Sequence, residues 1–371
     1  MEWYQAVIVF AVAFAVAYCM VPVSKKIAFR IGAIDYPGYR RMNREPIPRC
    51  GGIALYVGLI AACFTMFLGV RFFDWDLHDL YILSDVNYIV LFIGVTTMFT
   101  VGLVDDITQL SPGVKLAGQI VAATVVTLSG ITIGAVRTLV VGDYLSLGWI
   151  DYPLTVLYLV VFVNITNLID GLDGLASGLV AIVAGGLLYL VLMRGSFTLV
   201  LVCLALIAVC LAFLRYNFFP ASVFMGDSGS LLLGLVVGIV SVVGKIIGPN
   251  AAVVPLIIAG VPVLDTVSAI VRRKRLHQPV KDADLGHIHH RLMRAGLSQK
   301  RSVAVLWLCS AALVLVGCLM GSFSGPVRWM VCIVLAVVLF FVIWKFGLFK
   351  PVLKHHYDNR GKRGPRVPRQ R

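Results

Sequence analysis

Charged residues are scarce in this 371-residue chain, in which Asp, Glu, Lys and Arg together make up 13%. In soluble globular domains that share is about a quarter. Hydrophobic residues reach 60% and the mean hydropathy is +0.93, so a soluble protein would need a very large dry core with almost no charged surface. The shortage of charge therefore excludes a soluble domain and indicates an integral membrane protein.

Paired cysteines are also missing. The eight cysteines form no C-x-x-C pair and seven lie inside apolar runs, which excludes a disulfide framework and a zinc site of the usual spacing. No basic segment precedes the first apolar run, and Lys25 and Lys26 follow it instead. The first run is therefore predicted to be a retained membrane helix rather than a cleaved signal peptide.

Continuous apolar runs long enough to cross a bilayer are abundant. Because these runs do not alternate with polar residues, they predict helices and not the strands of a β-barrel. The fold class is therefore expected to be an all-α polytopic membrane protein. The eleven candidate spans cover residues 3–23, 51–70, 88–104, 115–133, 152–169, 175–193, 198–215, 229–247, 252–271, 303–321 and 328–348.

Basic residues are distributed very unevenly between the two ends of these spans. With the N-terminus placed outside, 26 of the 32 Lys and Arg residues fall in the inner segments, a bias typical of cytoplasmic loops. The formal charge of +14 follows from this bias and does not indicate nucleic-acid binding. We expect one transmembrane domain over residues 1–349 and a basic, disordered cytoplasmic tail over residues 350–371.

The acidic residues near membrane depth all fall on the inner side of this topology. They are Asp105 and Asp106 at the end of the third span, Asp170 and Asp173 after the fifth, Asp227 at the start of the eighth, and Asp265 in the ninth. Charges at such depth are rare and usually face a polar cavity or a functional partner. Clustered carboxylates repel one another unless a cation neutralises them, and Mg²⁺, which prefers oxygen ligands, suits them, with Mn²⁺ as the alternative.

The stretch Asn164–Gly178, NITNLIDGLDGLASG, carries two of these acids between two apolar runs. If the stretch is helical, Asp170 and Asp173 share a face with Asn167 at spacings of three residues. The alternative is a polar turn in which Asp173 is the N-cap of the next helix. In either case the adjacent glycines would let a ligand or another backbone approach closely.

Two further segments favour anion binding. Small residues surround Asp227 in FMGDSGS, where free backbone N–H groups at a helix start would face a phosphate. The basic segment 272–301 contains His287, His289 and His290, for which phosphate contact is favoured over a transition-metal site or a plain solvated loop. Carboxylates, a divalent ion, phosphate-facing amides and a basic loop together indicate phosphoryl transfer at the inner surface, with a lipid as one substrate.

Five motifs in this order resemble those of the polyprenyl-phosphate N-acetylhexosamine-1-phosphate transferases. They are NREPIPRCGG (43–52), GLVDDITQLSPGVK (102–115), NITNLIDGLDGLASG (164–178), FMGDSGSLLLG (224–234) and GHIHHRL (286–292). Ile288 interrupts the run of three histidines typical of the phospho-MurNAc-pentapeptide translocases, so the WecA/TagO-like branch is the better match. The resemblance implies transfer of GlcNAc-1-phosphate from UDP-GlcNAc to undecaprenyl or decaprenyl phosphate, in a bacterial inner membrane.

The resemblance also implies roles for single residues, with the active site facing the cytoplasm. Asp227 would bind Mg²⁺ directly, while Asp105 and Asp106 would bind or position the metal and the lipid phosphate, Asp105 being the candidate base or nucleophile. The substrate contacts form four groups. Asn167, Asp170, Asp173, Asn217 and Phe224 would line the nucleotide pocket; His287, His289 and His290 would hold the diphosphate or sugar; Lys115 would touch the lipid phosphate; and Arg44 would contact the nucleotide.

Other functions stay open at this point. A secondary transporter that couples ions through inner-half carboxylates would account for Asp265, but not for the Asp-Asp pair, GDSGS and the histidines. A CDP-alcohol phosphotransferase would hold its carboxylates in one compact motif, whereas these are dispersed. Within the family, the pentapeptide translocase, a transferase for another UDP-N-acetylhexosamine, and a homodimeric assembly also remain open.

Overall fold

The computed structural model of the protein is a bundle of apolar helices. The structure describes residues 2–36, 45–77, 86–137, 144–244 and 288–320, together with isolated positions between 260 and 345. Within these ranges, eight helices are long and apolar enough to cross a membrane. The predicted fold class, an all-α polytopic membrane protein, is confirmed.

Short connections join most of the helices, and strands occur only as two short antiparallel pairs within the described ranges. The helices are α1 (Trp3–Ile31), α2 (Gly52–Phe72), α3 (Tyr88–Thr108), α4 (Pro112–Leu128), α5 (Asp151–Ile169), α6 (Leu175–Met193), α7 (Phe197–Asn217), α8 (Gly226–Val243), α9 (Ile288–Arg294) and α10 (Gln299–Met320). The strand pairs are β1–β2 (Ile34–Asp35 with Ile47–Pro48) and β3–β4 (Ala135–Arg137 with Tyr144–Ser146).

Nine of the eleven predicted spans coincide with a helix, although the ends of several differ by a few residues or more. The helix α1 continues to Ile31, past the predicted end at residue 23, and α4 ends at Leu128, short of residue 133. Hydropathy locates where a helix leaves the hydrocarbon layer and not where its backbone hydrogen bonding ends. The predicted spans 252–271 and 328–348 lie outside the described residues except for isolated positions, as does the tail, so the count of eleven stays a prediction.

The helix α8 forms the centre of the bundle. Fifteen of its 18 residues are buried, and α2, α3 and α5 pack around it. Small residues on one face allow α5 to approach closely, since a Cβ on Gly234 would lie 2.8 Å from the carbonyl oxygen of Phe162. Close backbone approach at small residues is the usual way in which helices associate within a membrane.

Backbone contact is closest at the first turn of α8. A Cβ added to Gly102 of α3 would lie 2.5 Å from the carbonyl oxygen of Asp227, and one added to Gly52 of α2 would overlap the backbone of Ser228 and Gly229. The two glycines therefore let α2 and α3 touch the start of α8 without an intervening side chain. This contact places the carboxyl end of α3 directly beside the start of α8.

Substitution of Gly102 by Ala is expected to destabilise the protein, because the new methyl group must force α3 away from α8. Overpacking of this kind typically costs about 1–3 kcal/mol. The matched control is Gly185→Ala in α6, where a Cβ would meet no atom within 4 Å and the gain in helix propensity is about 0.5–1 kcal/mol. Thermal unfolding of the detergent-solubilised variants is the measurement, and equal unfolding temperatures would contradict the close contact.

Candidate active site

The first turn of α8 is capped by a carboxylate from another helix. Asp106 is buried at the end of α3, and its Oδ1 accepts a hydrogen bond of 2.7 Å from the backbone N–H of Asp227. Its Oδ2 accepts two more, of 3.0 Å from the N–H and 2.6 Å from the hydroxyl of Ser228. A helix N-terminus carries unsatisfied N–H groups and a partial positive charge. Asp106 accepts hydrogen bonds from two of these N–H groups and places a negative charge beside them.

The glycine before Asp227 is required by this cap. Gly226 has φ +71°, a backbone conformation that residues other than glycine rarely adopt. A Cβ there would lie 2.5–2.6 Å from the two carboxylate oxygens of Asp106. The same Cβ would overlap the carbonyl oxygen of Arg49. The Gly-Asp pair in FMGDSGS is therefore explained by the approach of Asp106 and Arg49 to the helix start.

The turn between α3 and α4 brings Asp105 and Lys115 face to face. Gln109 ends α3 in a left-handed conformation, with φ 52°, and Pro112 begins α4 after the N-cap Ser111. Across this turn the Lys115 ammonium lies 3.5 Å from Oδ2 of Asp105. The Asp-Asp and Lys elements of GLVDDITQLSPGVK thus form one local unit.

Side chains from α3, α4, α5 and α8 converge on this lysine. The Lys115 ammonium forms an ion pair with Oδ2 of Asp227 and donates a hydrogen bond of 3.2 Å to Oδ1 of Asn167. The Asn167 amide donates to Oδ1 of Asp227 at 3.0 Å and to the Ser230 hydroxyl at 2.9 Å. The side chain of Lys115 is 17% exposed, so the cluster is recessed yet reachable from outside the bundle.

Two carboxylates of the cluster could hold a divalent cation. The carboxylates of Asp105 and Asp227 already share one cation, the Lys115 ammonium, and Mg²⁺ is usually bound by one or two carboxylates plus substrate phosphates. In the part of the chain that the structure describes, no three His, Cys, Asp or Glu side chains group together as metal ligands. Asp105 and Asp227 are the carboxylates that could hold a divalent ion, since Oδ2 of Asp105 and the Asp227 carboxylate face Lys115, whereas the oxygens of Asp106 are engaged by the start of α8.

The stretch after α5 is a turn and not a helix. The helix α5 ends at Ile169, and α6 begins at Leu175 after an N-cap at Gly174 with φ +77°. The hypothesis that Asp170 and Asp173 extend a helical face with Asn167 is therefore wrong, and so is the alternative that Asp173 is the N-cap. The αL conformation at Gly174, which favours glycine, separates the two helices.

Asn217 and Asp173 attach this turn to the neighbouring connection between α7 and α8. The Asn217 side chain is buried, accepts a hydrogen bond of 3.0 Å from the N–H of Gly174 and donates one of 2.9 Å to the carbonyl oxygen of Val223. Oδ2 of Asp173 accepts one of 3.0 Å from the N–H of Ala221. Both side chains thus serve the framework of the site through backbone groups.

The start of α10 packs against the same two connections. The Gln299 side chain forms a hydrogen bond with Asp173, and the Lys300 ammonium lies 5.7 Å from the ring centroid of Phe219. About two turns further along, the Trp307 indole N–H donates to the carbonyl oxygen of Leu175 at 3.4 Å. These contacts hold α10, and α9 just before it, at the end of the bundle that carries the carboxylates.

The remaining predicted residues are described only in part. Phe224 is half-buried, and its backbone pairs with Pro48 and Gly51. His289 and His290 lie in the short helix α9, where their backbone alone is described, and Arg44 and His287 lie outside the described residues. Asp265 also lies outside the described residues.

Arg49 is a candidate site residue that the motifs alone did not single out. Its guanidinium lies 3.8 Å from Oδ1 of Asp106 and 4.0 Å from Oδ1 of Asp35. The signal in the sequence is its position just before Cys50 and the glycine pair in NREPIPRCGG. Its charge alone does not distinguish it from the many other basic residues of the inner segments.

The Asp170 carboxylate differs from the other carboxylates of the site in having no partner among the described residues. No hydrogen bond or ion pair engages its side chain among the described residues. Desolvation at this recessed position, reinforced by the nearby Asp106 carboxylate and partly offset by Arg49, raises the pKa of Asp170 to about 7. A carboxylate with a raised pKa that no described residue engages is typical of a functional site.

Asp170→Asn is expected to make stability less dependent on pH. Because the folded-state pKa of Asp170 is raised, its contribution to the free energy of unfolding is present at low pH and is lost as pH rises from about 4 to about 7. The unfolding temperature of the variant relative to the unsubstituted protein should therefore be higher at pH 8 than at pH 5, without substrate or divalent ions. The exposed Asp74→Asn serves as control, and a pH-independent difference for Asp170→Asn would contradict the raised pKa.

Comparison with known proteins agrees with this arrangement of motifs. The family model for glycosyl transferase family 4 matches residues 88–245. The chain is 37% identical over 306 residues to the probable undecaprenyl-phosphate N-acetylglucosaminyl 1-phosphate transferase of Bacillus subtilis, covering 82% of each chain. It is 32% identical to the decaprenyl-phosphate N-acetylglucosaminephosphotransferase of Mycolicibacterium smegmatis, covering 87% of this chain and 84% of the relative.

A third relative extends the match to almost the full length of the protein. The undecaprenyl-phosphate alpha-N-acetylglucosaminyl 1-phosphate transferase of Escherichia coli is 29% identical over 354 residues, which cover 91% of this chain and 92% of the relative. The matched region contains the ends of α3, α5 and α7 and the starts of α4, α6 and α8. With these relatives and the family model in agreement, the chain belongs to glycosyl transferase family 4.

Proposed function

We propose that the protein transfers GlcNAc-1-phosphate from UDP-GlcNAc to undecaprenyl or decaprenyl phosphate and releases UMP. The observation that carries the proposal is the convergence of Asp105, Lys115, Asn167 and Asp227 at one end of a membrane helix bundle. Relatives that resemble the chain over more than four fifths of its length are named as N-acetylglucosaminyl 1-phosphate transferases or N-acetylglucosaminephosphotransferases of undecaprenyl or decaprenyl phosphate.

The position of Lys115 suits a phosphate carried by a lipid. Lys115 lies in the first turn of α4, and the next residue, Leu116, lines an apolar groove of about 670 Å³ between α4 and α5. The groove continues along both helices as far as Leu128 and Tyr152. A prenyl chain in this groove would place its phosphate at the Lys115 ammonium while the tail stays in hydrocarbon.

The proposed reaction is a direct displacement at phosphorus. An oxygen of the lipid phosphate attacks the sugar-linked phosphorus of UDP-GlcNAc, the bond from that phosphorus to the bridging oxygen breaks, and UMP leaves with both electrons. A phosphate monoester has a second pKa near about 6, so the nucleophile is largely dianionic at neutral pH and needs no strong base. Asp105, beside Lys115, would therefore position the lipid phosphate rather than remove a proton.

A Mg²⁺ ion held by Asp227 and Asp105, with Mn²⁺ as the alternative, would neutralise negative charge on the diphosphate. Asp106, through its three hydrogen bonds to the start of α8, would keep Asp227 in place. Lys115 offsets part of the negative charge of the two carboxylates and would supply positive charge to the incoming phosphate. Each of these groups acts by position and electrostatics, which is how most phosphoryl transfer is catalysed.

The turn after α5 is proposed to form the nucleotide side of the site. Asp170 has a carboxylate available for a ligand, while Asp173 and Asn217 shape the pocket by fixing the backbone around it. Phe224 offers a half-buried ring near this connection for the uracil. His289 and His290 in α9, together with His287 and Arg44, are proposed to contact the diphosphate, the sugar or the nucleotide.

The site is proposed to face the cytoplasm of a bacterial cell. The support is the positive-inside bias, since the segments around Arg49, Lys115 and Arg215 belong to the same side as the basic segment 272–301. UDP-sugars would then reach the site from the cytoplasm and the lipid from the inner leaflet.

Asp227→Asn is expected to fold normally and to lose turnover. The amide keeps an oxygen for Lys115 but removes the charge that balances Lys115 and a divalent ion, so kcat should fall by about 100-fold or more. The assay is release of UMP from UDP-GlcNAc with undecaprenyl phosphate and Mg²⁺, using purified protein in detergent. Asp74→Asn, an exposed left-handed position that Asn also tolerates, is the matched control, and near-normal turnover of Asp227→Asn would remove Asp227 from the metal site.

Direct displacement predicts that no UMP forms without the lipid. Rapid-quench experiments with radiolabelled UDP-GlcNAc and Mg²⁺, but no polyprenyl phosphate, should give far less than one UMP per enzyme and no labelled protein. A burst of one UMP per enzyme together with an aspartate that carries the GlcNAc-1-phosphoryl group would establish a covalent intermediate instead. The same assay with lipid and a panel of UDP-sugars identifies the donor, and a preference for UDP-MurNAc-pentapeptide would overturn the proposed substrate.

A further inference from the structure

The backbone of Arg49 is fixed against the start of α8. Its N–H donates a hydrogen bond of 3.0 Å to the carbonyl oxygen of Ala33, and its own carbonyl oxygen occupies the space that a Cβ on Gly226 would need. On both sides of Arg49 the chain pairs with the segment that leads into α8. The hydrogen bonds run from the N–H of Phe224 to the oxygen of Pro48 at 2.8 Å, from the N–H of Gly51 to the oxygen of Phe224 at 3.0 Å, and from the N–H of Gly52 to the oxygen of Met225 at 2.9 Å.

The guanidinium of Arg49 lies between two carboxylates. One is Asp35 of β1, at 4.0 Å, and the other is Asp106 of α3, at 3.8 Å. The Asp106 side chain has no exposed surface, whereas that of Arg49 is 22% exposed. Arg49 therefore brings positive charge to a carboxylate that water does not reach.

Loss of the Arg49 charge would weaken the contacts at the start of α8. A buried carboxylate without a compensating charge is costly, so without Arg49 the groups around Asp106 must shift or admit water to reduce the cost. Such a shift weakens the hydrogen bonds that Asp106 accepts from Asp227 and Ser228. Because the Asp227 side chain contacts Lys115 and Asn167 from the same turn, a shift of that turn changes the centre of the site.

We propose that Arg49 is a positioning residue for the transfer reaction, acting through Asp106 to hold the first turn of α8 and so keep Asp227 in contact with Lys115 and Asn167. The inference rests on the proposed function for its kinetic part, while the coupling of Arg49 to Asp106 is a property of the fold alone. In this role Arg49 acts through Asp106 and not by contact with substrate. Asp35 holds its guanidinium in place from the opposite side.

The kinetic test compares Arg49→Met, Arg49→Lys, Asp106→Asn and the double variant Arg49→Met/Asp106→Asn in the UMP-release assay. Arg215→Met, at the exposed end of α7, is the matched control for loss of a basic side chain. For Arg49→Met we expect kcat to fall by about 10–100-fold, the usual effect of removing a group that orients a ligand of the site, with KM for UDP-GlcNAc nearly unchanged. Arg49→Lys should recover part of the loss because it restores the charge.

The double variant decides how Arg49 acts. If Arg49 works through Asp106, the double variant should be no slower than Asp106→Asn within about a factor of three, because residues in one network are not additive. Losses that multiply would overturn the proposal. A raised KM for UDP-GlcNAc at unchanged kcat in Arg49→Met would also overturn it and would assign Arg49 to direct substrate contact, and unchanged kinetics would exclude any role.

A second measurement needs neither substrates nor metal. The unfolding temperatures of the same variants in EDTA should show the same coupling, with the double variant less destabilised than the sum of the two single losses. Additive losses would contradict the Arg49–Asp106 interaction. If the unsubstituted protein releases no UMP, the proposed function fails, and this stability cycle still tests the interaction itself.

Discussion

A carboxylate buried in an apolar helix bundle is stable only if hydrogen bonds and positive charge replace the water that it has lost. Asp106 meets this condition at the first turn of α8, where it accepts three hydrogen bonds from Asp227 and Ser228 and lies 3.8 Å from Arg49. The glycines of α2 and α3 allow these groups to meet at backbone distance. The rest of the site depends on this contact, because it fixes the Asp227 backbone, from which the side chain reaches Lys115 and Asn167.

The acidic residues at this end of the bundle therefore differ in what they are free to do. Asp106 and Asp173 accept hydrogen bonds from backbone N–H groups, which commits them to holding helix ends and connections together. Asp105 also accepts a backbone hydrogen bond, of 2.8 Å from the N–H of Leu110 to its Oδ1, but its Oδ2 and the Asp227 carboxylate share the Lys115 ammonium. An incoming phosphate can pair with this ammonium, and the charge of the two carboxylates can then be balanced by another cation. Asp170 is engaged by no described side chain. This division separates the framework from the groups that can respond to a charged substrate.

Much of the site could be predicted from the sequence because its motifs are local. Asp105 and Lys115 are ten residues apart across a turn marked by Ser111 and Pro112, and Asp227 sits at a helix start marked by glycine and serine. The prediction failed in the stretch after Asn167, where a three-residue spacing suggested a helical face. The spacing was compatible with a helix, but Gly174 in the αL conformation and the hydrogen bonds from Gly174 and Ala221 to distant side chains favour a turn.

The sequence by itself determined the membrane class, most of the helix positions and the end of the bundle at which the carboxylates gather. These properties depend on the cost of charge in hydrocarbon and on the length of apolar runs, which are read one segment at a time. Only the tertiary structure decided that Asp106 caps α8, that Asn217 fastens Gly174 to Val223, and that Arg49 faces Asp106. Each of these contacts joins residues from separate helices or connections, and which of many equivalent polar groups meet is set by how closely the helices pack.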